Sequence, residues 1–162
     1  MNDDGLVQCV IGVDPGYKHS AFVALSNGRV LSHKIMPNDE LVALLKYRMP
    51  TPGTTVVVEQ FEGMGMAVGR EVMETIWWSG RFFEAWPGAR ARVTRREVKL
   101  HLCGLARAKD SNVRQALIDR FGPDKETAIG KKSAPGPLYG VKADEWAALA
   151  VAVTWWDVTR TG

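Results

Sequence analysis

The sequence contains no run of 18 apolar residues, so no segment is long enough to span a bilayer as a helix. Cysteine is scarce. Of 162 residues only Cys9 and Cys103 are cysteines, one in a strand-like run and one in a helical run, neither with a partner at metal-ligand spacing. This argues against a disulfide scaffold and predicts two buried thiols in a reducing compartment. Histidine is scarce too: His19, His33 and His101 are scattered, with no Ser/His/Asp arrangement, and read as surface or turn residues rather than catalysts. There is no internal repeat and no low-complexity tract. The first residues, MNDDG, are acidic where a secretory signal is basic. Together these absences predict a cytoplasmic protein of one domain, residues 1–162, with no membrane partner.

The most informative stretch runs from Gln8 to Ala21, QCVIGVDPGYKHSA. An apolar run from Cys9 to Val13 stops at Asp14, and Pro15 and Gly16 cannot readily continue a central strand. Asp14 therefore ends a strand, where open α/β sheets place ligands, although Asp is also a common turn former. Ser20 to Leu25 and Arg29 to Ile35 read as two further strands joined by a tight turn at Ser26-Asn27-Gly28. A helix capped by Asn38 follows, with Leu41, Leu44, Leu45 and Met49 at helical spacing and Pro50, Pro52 and Gly53 as its stop. The β-branched run Thr54 to Val58 then predicts a strand buried on both faces, and it too stops at an acid, Glu59.

Two central strands joined by a helix are expected to lie parallel, which brings Asp14 and Glu59 to the same sheet edge. Two adjacent carboxylates repel, and a divalent cation with oxygen ligands, Mg²⁺ or Mn²⁺, best accounts for them. A final Ala-rich helix from Ala143 to about Trp156 opens with Asp144 and Glu145. Those acids suit the helix dipole, and they also form a third acidic group. An acid, an acid and an acidic pair supply ligands for two-metal phosphodiester hydrolysis, with no protein nucleophile required.

Between these acids the chain is basic. Residues 70 to 120 hold eleven Lys and Arg against six Asp and Glu, a pattern that suits a polyanion partner or a solvated helical face. Arg92, Arg95, Arg96, Lys99, Arg107, Lys109 and Arg114 concentrate around a short strand, Ala89 to Thr94, and two helices, about Arg95 to Leu102 and, capped by Asp110 or Ser111, onward to Phe121. In the Gly-rich loop Gln60 to Gly69, the apolar Phe61, Met64 and Met66 would normally tuck into the core, or could wedge into a base stack. The helix Arg70 to Trp86 carries more large apolar residues than one buried stripe requires, Trp77, Trp78, Phe82 and Phe83 among them, which suggests a second subunit. Residues 122 to 141, rich in Gly and Pro, read as a loop with little structure of its own.

VIGVDPG, VVVEQ, REVKLHLCGLARAKDSNVRQAL and ADEWAALAVAV resemble, in order and spacing, the motifs of the RuvC family of Holliday junction resolvases, and most nearly its phage-borne members. The resemblance implies a ribonuclease H-like α/β fold: a mixed five-stranded sheet, three antiparallel strands then two parallel, flanked by helices. It implies a homodimer that binds four-way DNA junctions and nicks two strands symmetrically with two Mg²⁺ or Mn²⁺ ions. Asp14 and Glu59 match the family's first two metal ligands, and Lys99 and Lys109 match lysines used in DNA binding or catalysis. Arg95, Arg96, Arg107, Arg114, Phe61 and Met64 are the further DNA-contact candidates, Phe61 lying one position before the family's wedge aromatic. On the last helix the family carries two ligands three residues apart. Here Asp144 fills one of these positions, the other falls on Ala147 or on Val141, and Glu145 is the candidate substitute. A broader fork and flap nuclease, a hybrid-cleaving ribonuclease and a junction-binding module without chemistry share much of this pattern. An actin-like ATPase would need a second domain.

Overall fold

The structure, a computed structural model, describes residues 8–47 and 52–161. Met49 and Pro50, expected within and after the first helix, lie outside the described residues, as does the acidic N-terminal segment. Five strands form one sheet: β1 (Cys9–Asp14), β2 (His19–Ser26), β3 (Arg29–Pro37), β4 (Thr54–Gln60) and β5 (Ala89–Thr94). Their order is β3-β2-β1-β4-β5, with β1, β2 and β3 antiparallel and β1, β4 and β5 parallel. This is the expected mixed sheet, and Val13 pairs with Val58 so that Asp14 and Glu59 follow side by side.

Both faces of the sheet are buried, and alternate residues of each strand serve different cores. Val10, Ala21, Val23, Leu25 and Val57 pack against α3 (Arg95–Cys103), α4 (Asp110–Phe121) and α6 (Glu145–Val158). Ile11, Val13, Phe22, Val56 and Val58 pack against α1 (Asn38–Tyr47), α2 (Arg70–Ala85) and Trp86. Helix α6 is apolar nearly all round, as a helix pressed onto a sheet must be.

Several local expectations require correction. Asn38 was expected to cap α1, but its amide donates to Gly16 O at 2.8 Å and accepts from Ser20 Oγ at 2.6 Å. Both of its polar atoms are thereby committed to tying the β1–β2 turn to α1. Neither Asp110 nor Ser111 caps α4; Lys109 stands at the cap position and its N–H donates to Asn112 Oδ1, which leaves the Asp110 carboxylate uncommitted to the helix end. The segment 122–141 is structured: it contains a short helix, α5 (Lys125–Ala128), a two-strand pairing of β6 (Gly130–Lys131) with β7 (Ala134–Pro135), and a fully buried Leu138. Its glycines permit close packing rather than looseness, since a side chain at Gly136 would collide with the carbonyls of Thr127 and Ala128. Cys9 and Cys103 are half-buried rather than fully buried.

At Gly12 the sheet and α6 pack backbone against backbone. A Cβ there would stand 2.8 Å from Ala152 N and nearer still to Ala148 O, both on α6. Gly12→Ala must therefore push α6 off the sheet, and urea unfolding is expected to show a loss of about 1–3 kcal/mol, the usual cost of overpacking a tight core.

Candidate active site

Asp14 and Glu59 meet at the carboxyl edge of the parallel strands, and α6 delivers Asp144 from above. Ala143 adopts a left-handed conformation, φ 48°, just before α6, and Asp144 stands at the helix's N-cap position without capping it. Glu145 is turned away. Its carboxylate, almost fully buried, bonds His33 Nδ1 at 2.8 Å and accepts from Lys142 N at 3.0 Å. Expected as a substitute metal ligand, it is instead a clamp between α6 and β3, because a buried carboxylate takes the partners nearest to it. His33, read as a surface or turn residue, is the other half of that clamp. His101 likewise pairs with Asp157, at 2.7 Å.

The sequence reading missed Asp110. Read as a cap, it lies with Glu59, Asp144, Arg95 and Lys99 around a cavity of about 130 Å³, 3.6 Å from Lys99 Nζ. No sequence signal marks it, since an acid in a first turn is ordinarily there for the dipole.

Asp14 is buried, and none of the described residues gives its carboxylate a hydrogen bond. Burial first, then the charges of Glu59 and Asp144, push its pKa up to about 8. Glu59 is also held above the usual carboxylate range by burial, although Arg95 opposes this with its charge and with a hydrogen bond from Nε to Oε1 at 3.2 Å. The donor set is entirely hard oxygen, and a divalent cation would relieve the repulsion, so its chemistry fits Mg²⁺ or Mn²⁺. Among the described residues, however, no three His, Cys, Asp or Glu side chains are drawn close enough to hold an ion, and Glu59 is engaged by Arg95.

Beside these acids lies a groove of about 590 Å³, lined by Asp14, Glu59, Phe61, Met64, Arg95, Arg96, Lys99 and Arg107 among others. Six of the eight predicted DNA contacts thus share one concavity with the carboxylates. Lys109 is exposed outside it, and Arg114 lines the smaller cavity with its guanidinium over Trp146. Phe61, Met64 and Met66 do not tuck into the core; Met64 is 82% exposed.

A five-stranded mixed sheet, three antiparallel strands then two parallel, flanked by helices, matches the RuvC and ribonuclease H-like fold. In particular the chain is similar to Thermus thermophilus RuvC, with a TM-score of 0.62 and 21% identity over 96% of this chain and 97% of that one. The structure of T. thermophilus RuvC in complex with a Holliday junction substrate matches with a TM-score of 0.56 and 19% identity, over 96% of both chains. No family profile and no curated protein matches the sequence. Among the described residues no helix is long and apolar enough to cross a membrane.

The raised pKa of Asp14 fixes the sign of a pH effect. With a folded pKa near 8 against an unfolded value of 3.8, the native metal-free protein binds the extra proton between these limits. Stability from this group is therefore full at low pH and declines as pH rises toward 8. In chelator, Asp14→Asn is expected to be more stable than the wild type at pH 8, by a few kcal/mol at most, the difference shrinking toward pH 4. Thermal melts across that range check it.

Proposed function

We propose that residues 1–162 form one nuclease domain that resolves four-way DNA junctions by divalent-metal-dependent hydrolysis of phosphodiester bonds. The observation that carries this reading is the continuity of the acidic strand edge with a basic groove that also exposes Phe61 and Met64. The fold it shares with a protein solved on a Holliday junction supports it.

In this reading Asp14, Glu59 and Asp144 would hold divalent ions, whose chemistry would be to activate a water and neutralise a leaving oxygen. Lys99 and Arg96 bind the backbone phosphates that approach the acids. Arg107, which also lines the groove, fixes the direction of the strand. Met64 and Phe61 offer apolar surface to an unstacked base pair at the branch point. Burial of Asp14 and Glu59 excludes bulk water from one side of the reacting phosphate. Glu145 and His33 hold the start of α6, and so keep Asp144 in place.

A homodimer would give the paired symmetric nicks. It is supported by the outward stripe of α2, where Met73, Ile76 and Trp77 are exposed while Phe82 is fully buried. Spaced three and four residues apart, they share one helix face. Trp77→Asp is expected to shift sedimentation from dimer to monomer.

A panel of labelled substrates tests the reading: a four-way junction, a fork, a flap, a linear duplex and an RNA/DNA hybrid, each with Mg²⁺ or Mn²⁺. Paired symmetric nicks confined to the four-way junction are expected, abolished in Asp14→Asn with junction binding retained. Cutting across forks and flaps would replace resolution with a broader branched-DNA nuclease. Binding without any cleavage would leave a junction-binding module.

A further inference from the structure

Arg95 belongs to both cavities. It lines the small one with Glu59, Asp144 and Asp110, and it lines the large groove with Asp14, Arg96 and Arg107. Its backbone is fixed. Thr94 closes β5 opposite Gln60, and a capping box between Thr94 and Glu97 starts α3, so that residue 95 emerges beside the last residues of β4. The side chain, by contrast, is half in solvent, whereas the Glu59 side chain it bonds is only 15% exposed. Rotation of Arg95 into the groove needs no backbone movement, and it would leave Glu59 as a buried carboxylate without its cation.

Among the described residues Arg95 is the cation in ion-pair contact with Glu59; Lys99, paired with Asp110, acts on it only through its charge. A divalent ion on Glu59 would face the guanidinium at close range, and two cations at one carboxylate repel. Metal and Arg95 therefore compete. A phosphate in the groove offers the guanidinium a better partner, a bidentate acceptor in place of the single Nε contact to Glu59.

We infer that Arg95 couples the two sites: it holds Glu59 in the free protein and transfers to a backbone phosphate when DNA enters the groove, vacating Glu59 for a divalent ion. Metal is thus bound tightly only with DNA in place. By linkage, metal strengthens DNA binding by the same factor. The inference rests on the proposed reading of the acids as metal ligands and of the groove as a DNA site, and it adds the residue that makes each depend on the other. The opposing influence of Arg95 on the pKa of both Asp14 and Glu59 agrees with its central position.

The test measures binding, not cleavage. Ca²⁺, a hard-oxygen ion, is titrated calorimetrically into the free protein, into the protein saturated with a synthetic four-way junction, and into the junction alone as a blank. Junction affinity is measured in Ca²⁺ and in chelator. For the wild type, Ca²⁺ affinity is expected to rise about tenfold on the junction, with junction affinity rising by the same factor in Ca²⁺. In Arg95→Gln, the free protein should bind Ca²⁺ more tightly than the wild type, and the junction should no longer change that affinity. A wild-type factor near one overturns the inference without any variant, and an undiminished factor in Arg95→Gln overturns it equally. If the wild type binds neither Ca²⁺ nor the junction, the nuclease reading itself falls, whereas binding of both without coupling removes only the role of Arg95.

Discussion

Helix α6 can lie as close to β1 as it does because residue 12 has no side chain. That contact sets the height of α6 above the sheet, and so decides where its first turn falls. The first turn lands over the carboxyl edge of β1 and β4, and Asp144 thereby joins Asp14 and Glu59. A second device fixes the same turn from the other side: Glu145 is buried against His33 of β3, and Gly140, in a left-handed conformation, passes beneath the His33 ring. One constraint is steric and the other polar. Between them the helix start has little freedom, which is what a site built from charges on separate elements demands.

The cost of that arrangement is electrostatic. Asp14 and Glu59 converge where desolvation already disfavours their charged forms, the charge of Asp144 adds to the repulsion on Asp14, and two features answer it. Asp14 rises in pKa until it is largely protonated near neutrality, and Glu59 takes Arg95 as its counter-ion. Each answer is local and reversible. In the proposed reading a divalent ion would take the place of both that proton and that guanidinium.

The basic groove and the acidic edge are contiguous because α3 begins directly at the end of β5, next to β4. Arg95, Arg96 and Lys99 thus project beside the acids instead of spreading over a distant helix face. The loop after β4 leaves Phe61 and Met64 exposed at the groove's rim, an arrangement costly in water unless something apolar covers it.

Much of this was legible in the chain itself. The strand-ending acids Asp14 and Glu59, the parallel pairing that unites them, and the basic clustering of residues 92 to 107 follow from period, turn chemistry and the rule that a helix joins parallel strands. Residues 122–141 were not legible, because glycine marks flexibility and tight packing by the same letter, and only the neighbouring carbonyls around Gly136 distinguish the two. Which of the two acids, Asp144 or Glu145, lines the cavity with Glu59 and which pairs with His33 was equally hidden. Adjacent acids on a helix point about 100° apart, and which one faces the strands depends on the rotation that Gly12 and His33 impose on α6. Asp110 and Arg95 entered the site for the same reason: local sequence specifies elements and their ends, whereas the partners of a charged side chain are set by what long-range packing brings within its reach.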